Sequence, residues 1–281
     1  MEGMQNQPLR IVAVHDLSCF GRASLTVIMP ILANLGIQVC PLPTAVFSTH
    51  TAIPGYQKHD LTPTLEGFIA HWQKINLSFE AIYSGYLGSI EQITIMQNLI
   101  KKFPVKYVVV DPVLGDDGKL YEGIEQKMIE GMRKLISSAD IITPNITEAA
   151  FLLDEKYSAE ISKDKISQWL TKLAAFGPKI VIITGHVVDK KTVYTYALEK
   201  ETGKVFETTN TYIDQTFSGT GDIFTSIILG SLLKGKTLED ALALANLYLK
   251  EILKNTINHF GVNVDDLLIE SGFPILTKFC K

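Results

Sequence analysis

At 281 residues, with 46% hydrophobic and 20% charged side chains, the chain can hold one large α/β domain or two small ones, stable without a disulfide or a metal. A formal net charge of −4, with no Lys/Arg-rich run, excludes an extended nucleic-acid-binding face. No apolar run approaches the roughly 20 residues that span a bilayer. The start Met1–Arg10 is polar, and Cys19, Cys40 and Cys280 make no C-x-x-C pair, so a cytoplasmic chain without a structural zinc is expected.

Apolar runs of strand length alternate with helical periodicity, which predicts an α/β fold with a largely parallel sheet. Ile11–Val14 reads as a buried strand, Ser24–Leu35 as the helix after it, closed by Gly36, and Val39–Thr44 as a second strand. Ala81–Ser84 and Tyr107–Val110 read as short buried strands separated by helical Ile90–Phe103. Helical Ile124–Ile136 leads into strand Ile141-Ile142, and helical Ile166–Phe176 into strand Ile180–Ile183. Lys190-Lys191, preceded by Asp189, reads as a turn, and Thr192–Leu198 with Val205–Thr211 as a hairpin across Glu201–Lys204. Helices Gly221–Leu233 and Leu238–Leu253 precede a weakly patterned tail. With no repeat, low-complexity stretch or linker, a single domain over residues 1–281 is expected.

The predicted strands end at His15-Asp16, Ser84-Gly85, Asp111-Pro112, Thr143-Pro144-Asn145 and Thr184-Gly185. Ligands of open parallel sheets bind outside the carboxyl ends of the strands, so these small and polar residues mark a candidate site. They are also ordinary loop formers.

The sharpest local signal is Phe217-Ser218-Gly219-Thr220-Gly221-Asp222, followed at once by an apolar helix. Glycines let the backbone turn tightly and expose its N–H groups, and the helix start adds partial positive charge, which makes an anion site. Asp222 in the first helical turn is placed to take a proton from an attacking hydroxyl while those amides receive phosphoryl charge. The plainer reading is a helix start with a dipole-compensating Asp. A second string, Gly230-Ser-Leu-Leu-Lys-Gly-Lys-Thr237, satisfies the P-loop pattern but lacks the strand and glycine loop that the pattern needs. Gly235 reads instead as a helix stop, and Thr237 with Asp240 as a capping box for the next helix.

With Gly219–Asp222 placed, four further segments resemble the pyridoxal kinase family of the ribokinase-like superfamily. Phe47–Thr51 is similar to the family's F-S-N-H-T, and Ser84–Ser89 to its S-G-Y-L-G-S. Val110–Asp116 carries its D-P-V-L-G-D, and Ala139–Asn145 followed by Glu148 its A-D-I-I-T-P-N-x-x-E. The resemblance runs in family order from about Ile11 to Leu253. It implies a three-layer α/β/α sandwich, use of ATP with Mg²⁺ and a monovalent cation such as K⁺, 5′-phosphorylation of pyridoxal, pyridoxine or pyridoxamine, and a homodimer.

Carried over by position, the resemblance makes Asp222 the catalytic base and Gly219, Thr220 and Gly221 the anion hole. Asp111, Asn145 and Glu148 hold Mg²⁺ directly or through water, oxygen donors that suit this ion, and Thr184 lies along the nucleotide with Gly219 and Thr220. Phe47 stacks on the pyridine, and His50, Thr51 and Tyr86 complete the substrate side. Each residue also has a plainer reading: Asp111 as a turn former, Asn145 or Thr147 as a helix cap, Phe47 as a core aromatic and His50 as a loop brace. Cys19 is either a partner for the pyridoxal aldehyde or a small packed residue. His59, His71 and His259 read as surface residues.

The chain departs from better-known pyridoxal kinases in its first loop, where His15-Asp16-Leu17-Ser18-Cys19-Phe20-Gly21-Arg22 replaces Q-S-H and a later Gly-Asn pair. The family's serine near the pyridine becomes Asp16, whose carboxylate suits a protonated ring nitrogen or a substrate amine and is expected to favour a cationic vitamer such as pyridoxamine. An Asp in this loop is also a feature of hydroxymethylpyrimidine kinases of thiamine synthesis, so that substrate stays open. A non-catalytic nucleotide- or pyridoxal-phosphate-binding protein is the alternative of another class.

Overall fold

The structure is a computed structural model that describes residues 8–261 and 266–279; the stretch 1–7 and Cys280 lie outside them. Strands and helices alternate along the first two thirds of the chain. The elements are β1 (Arg10–Ser18), α1 (Leu25–Asn34), β2 (Gln38–Phe47), β3 (Lys58–Asp60), α2 (Thr62–Lys74), β4 (Ala81–Ser84), α3 (Ile90–Lys102) and β5 (Tyr107–Val110). A small ribbon of β6 (Gly115–Asp116) and β7 (Lys119–Leu120) follows, then α4 (Lys127–Ile136), β8 (Ile141–Ile142), α5 (Ile146–Leu153), α6 (Lys163–Ala175) and β9 (Ile180–Val187). The hairpin β10 (Thr192–Glu199) and β11 (Lys204–Thr211) precedes α7 (Thr220–Leu233) and α8 (Leu238–Phe260), and a 3₁₀ turn leads to α9 (Phe273–Phe279).

The main sheet has nine strands in the order β11-β10-β9-β8-β5-β4-β1-β2-β3. Strands β2, β1, β4, β5, β8 and β9 run parallel, and the antiparallel pairs lie at the two edges. Side-chain alternation along the central strands builds two separate cores. Val12, Val14, Ile82, Val108, Val110, Val181 and Ile183 pack with α2 to α6 on one face, around the fully buried Trp169. Ile11, Ala13, Ala81, Tyr83, Val109, Ile180 and Ile182 pack with α1, α7, α8 and α9 on the other. This is the expected three-layer α/β/α sandwich with a mostly parallel sheet. Strand order reverses between β1 and β4, so the loops after these two strands open a crevice where ligands of such sheets bind.

The structure differs from the expected elements where neighbouring chain overrides the local pattern. β1 continues through His15 and Asp16 to Ser18, because β2 supplies partners beyond a register shift at Asp16, so Asp16 sits within the strand. β9 likewise runs past Thr184, held by β10 across a bulge at Gly185, whose φ of 79° suits a glycine. Helix α2 carries only Thr62, Leu65 and Ile69 as its buried stripe, too narrow to read as a period. In the tail, α8, the turn before α9 and α9 itself pack Tyr248, Ile252, Leu267, Ile269 and Leu276 into the core. Among the described residues no helix is long and apolar enough to cross a membrane.

The P-loop look-alike is dissolved by the fold. Its first half lies inside α7, buried against Leu35, where only glycine at Gly230 lets α1 come close. Gly235, at φ 77°, follows the helix end, and Thr237 forms the expected capping box with Asp240. Lys236→Ala is therefore expected to leave kcat and the KM for ATP unchanged in a steady-state assay. Thr237→Ala costs about 1 kcal/mol in urea unfolding with activity kept. A loss of kcat of about a thousandfold in Lys236→Ala is the behaviour of a P-loop lysine and contradicts this reading.

Candidate active site

The first loop closes on the start of α7. Gly219 is the N-cap residue of that helix, at φ 81°, and no side chain caps the terminus, whereas Ser89, Asn145, Ser162 and Thr237 cap α3, α5, α6 and α8. The first amides of α7 are thus left open to an anion. A Cβ on Gly219 would fall 2.1 Å from the Arg22 carbonyl oxygen, so a glycine is required for the loop to approach. Ser24, at the apposed position, adopts φ 53° and ψ −133°, a conformation costing about 1–3 kcal/mol for a residue with a side chain. That conformation turns its N–H onto Asp222 Oδ2 at 2.8 Å, while its hydroxyl donates to Asp16 Oδ1 at 2.5 Å. Ser18 donates to Asp16 Oδ2 at 2.9 Å, so both oxygens of this buried carboxylate are held.

One oxygen of Asp222 is fixed and the other faces the crevice. Its Oδ1 lies 3.8 Å from His15 Nδ1, beyond hydrogen-bond reach, and its side chain keeps 15% exposure. His15 is fully buried edge-on to Tyr83, with both ring nitrogens lacking partners, and burial lowers its pKa to about 3. His15 is therefore neutral, and the contact is no ion pair at physiological pH. Burial raises Asp222 to about 7, the Ser24 N–H lowers it, and the nearby Asp16 adds to the rise. Asp16 is itself raised by burial, with its two serine donors and the Lys58 charge working the other way.

Asp111, Asn145 and Glu148 converge beside this crevice at the ends of β5 and β8. Glu148 is 3% exposed; Oε1 accepts from Leu114 N–H and Oε2 from Asn145 N–H, both at 2.9 Å. Asn145 Oδ1 returns a bond to Glu148 N–H, the second half of a capping box, and its Nδ2 donates to the Gly115 carbonyl. The plainer reading of Asn145 as a cap thus holds as a matter of geometry. Burial raises Glu148 to about 7 and Asp111 well above its ordinary value; Asp111 is pushed further by Glu148 and Asp222. Buried carboxylates that repel one another are a donor set a divalent cation would relieve, and each engaged oxygen keeps a free lone pair. Their oxygens are of the donor type Mg²⁺ takes, although among the described residues no group of three or more His, Cys, Asp or Glu side chains is gathered closely enough to hold a metal ion.

Within electrostatic reach of Asp16 stands an aromatic cluster. Phe47, 1% exposed, meets Tyr56 and Tyr86 edge-on at centroid distances of 5.5 and 5.6 Å. Lys58 from β3 lays its ammonium over Phe47 and Tyr86 and donates to the Tyr86 hydroxyl at 3.2 Å. His50 is buried between Gly21 and Ser218, whose Oγ lies 3.4 Å from Nδ1, which is the bracing position; Thr51 after it is exposed. Cys19 is exposed. Thr184 bridges Asn145 and donates its N–H to the Pro144 carbonyl. A cleft of about 390 Å³ opens at the same end of the sheet, lined by Lys191, Thr192, Thr211, Asn246 and Lys250 between the hairpin and α8. Ser24, Tyr56 and Lys58 were not singled out by the motifs, and only their neighbours in space reveal them; His15 and Ser18 stood in the marked first loop without an assigned role.

The family model of phosphomethylpyrimidine kinase matches residues 43–264. A Bacteroides thetaiotaomicron protein described by the same family name is 42% identical, with 99% of this chain and 96% of that chain covered and a TM-score of 0.93. A second crystal form of it, with pyridoxal, gives 43% identity, 96% coverage of each chain and a TM-score of 0.91. Pyridoxal kinase from Lactobacillus plantarum is 30% identical over 96% of this chain and 97% of that chain, with a TM-score of 0.89. Pyridoxal kinase of Arabidopsis thaliana is 29% identical over 243 residues, 82% of this chain and 76% of the relative. Fold and neighbours define a ribokinase-like kinase. The chain belongs to the phosphomethylpyrimidine kinase family, alongside the pyridoxal kinases.

The raised pKa of Asp222 makes stability depend on pH. The folded chain holds this proton up to about pH 7, the unfolded chain only to about 4, so the stabilising protonation is lost as pH rises through about 7. Asp222→Asn, which keeps an acceptor for the Ser24 N–H, is expected to raise the thermal midpoint by several degrees at pH 8. The gain shrinks as pH falls towards 4, as scanning calorimetry of the ligand-free protein can follow.

Proposed function

We propose that the chain transfers the γ-phosphoryl group of Mg·ATP to the 5′-hydroxymethyl group of a vitamin B6 vitamer (pyridoxal, pyridoxamine or pyridoxine), giving pyridoxal 5′-phosphate or its analogue. The observation that carries the reading is Asp222, held by one oxygen at an uncapped helix start, in a crevice whose other wall is buried Asp16 and three aromatic rings. The pyridoxal crystallised with the Bacteroides relative supports the same substrate class.

Substrate lies with its ring between Asp16 and the wall of Phe47 and Tyr86, which orients the hydroxymethyl oxygen towards Asp222. Oδ1 of Asp222 takes the hydroxyl proton as the oxygen attacks; Oδ2 stays on the Ser24 N–H. Neutral His15 beside Oδ1 offers no positive charge to weaken the base. The amides of Gly219, Thr220 and Gly221 receive the charge of the transferring group, a contribution that is large in a water-poor site. Asp111, with Asn145 and Glu148, would hold Mg²⁺, which would neutralise phosphate charge there. Thr184, Gly219 and Thr220 line the phosphates, and the cleft between the hairpin and α8 has room for the base and ribose.

A hydroxymethylpyrimidine kinase is the second reading, favoured by the family's name and by a carboxylate at Asp16. Initial rates with pyridoxal, pyridoxamine, pyridoxine and hydroxymethylpyrimidine under Mg·ATP separate the two. A vitamer is expected to give the highest kcat/KM, with Asp16→Ser lowering the pyridoxamine-to-pyridoxine ratio. Preference for hydroxymethylpyrimidine overturns the B6 reading and leaves the phosphoryl-transfer chemistry intact.

A further inference from the structure

Lys58 lies in a place that its strand does not explain. A lysine on an edge strand ordinarily extends into solvent and discourages further pairing. Here β3 pairs Lys58 with Phe47, and the exposed side chain bends over the rings, its Nζ 5.6 Å from the Phe47 ring centre and 5.5 Å from that of Tyr86. The ammonium rests against Gly88, where an added Cβ would fall 3.1 Å from Nζ and 3.2 Å from the Tyr86 hydroxyl. It donates a hydrogen bond to that hydroxyl, and among the described residues no carboxylate stands within ion-pair distance of it. The positive charge nevertheless acts on buried Asp16 across the mouth of the crevice. A cation and an anion thus act on each other and both act on Tyr86, beside the Phe47, Tyr56 and Tyr86 rings.

We propose that Lys58 is the specificity-determining residue of this site, its ammonium pairing with the anionic 3-oxygen of a pyridine substrate while Asp16 takes the protonated ring nitrogen or side-chain amine. The inference rests on the B6 reading of the site and names the contact that selects the substrate. A 3-hydroxypyridine loses its hydroxyl proton readily once the ring nitrogen is protonated, so the ring carries a cation and a phenolate together. Lys58 and Asp16 complement that zwitterion with two charge-assisted bonds. A hydroxymethylpyrimidine has no phenolic oxygen and presents an amino group instead. An ammonium group has only donors, so it cannot accept from that amine and rejects it.

The test compares wild type, Lys58→Met and Lys58→Arg on pyridoxine, 3-deoxypyridoxine and hydroxymethylpyrimidine. The readout is the kcat/KM ratio of pyridoxine to 3-deoxypyridoxine, in which any general effect on folding or phosphoryl transfer cancels. Lys58→Met is expected to collapse this ratio by about tenfold or more, and Lys58→Arg to retain most of it. An unchanged ratio in Lys58→Met overturns the inference while vitamer turnover by the wild type leaves the reaction itself standing. If the wild type prefers hydroxymethylpyrimidine to every vitamer, the B6 reading and the role of Lys58 fall together.

Discussion

Everything at the candidate site depends on how closely the loop after β1 approaches the first turn of α7. The Arg22 carbonyl occupies the space a side chain at Gly219 would need, and two residues further on Ser24 takes its unusual backbone conformation. From there one residue fixes two carboxylates, its N–H on Asp222 and its hydroxyl on Asp16. The proposed base and the proposed substrate-binding acid are therefore positioned by a single strained residue. Strain of this size persists only where surrounding structure over-determines it. Here α1 packs on α7 below the loop, and Arg22 is tied by an ion pair to Glu270.

The second constraint is buried negative charge. Asp222, Asp111 and Glu148 are each raised by burial, and the first and third of these each add to the rise of Asp111. A chain selected for stability alone would not gather such acids in one crevice, since desolvating them costs free energy, and among the described residues no Lys or Arg pairs with any of the three. In the proposed reaction the arrangement has a use. A base near neutrality accepts a hydroxyl proton efficiently, and the carboxylates at the phosphate end attract a divalent ion. Stability is exchanged for a site ready to receive its ligands.

Much of the fold was legible because β4, β5, β8 and the buried half of β9 are short apolar runs with nowhere to lie except between two helical layers. Gly219-Thr220-Gly221-Asp222 was legible for a related reason: glycines before an apolar helix leave amides exposed whatever the rest of the chain does. Other features had no local signature. Residues 58–60, Lys-His-Asp, hold no apolar side chain, and only the antiparallel partner β2 makes them a strand. The position of the Lys58 ammonium over the Phe47 and Tyr86 rings had no local signal either. Asp16 seemed a loop residue because the strand pattern breaks there, yet β2 carries the strand onward. Ser24 reads in sequence as an ordinary helix-start serine, and its role exists only because Asp222, far along the chain, arrives beside it.

The central claim is that Asp222 removes the substrate proton while other groups hold the ring. Single-turnover transfer from Mg·ATP to pyridoxal, measured for wild type and Asp222→Asn alongside an equilibrium titration of pyridoxal binding, tests it most directly. The account predicts near-native binding of pyridoxal with transfer slowed by about a hundredfold or more. Transfer within a few-fold of wild type, or loss of pyridoxal binding large enough to explain the slowing, would contradict it.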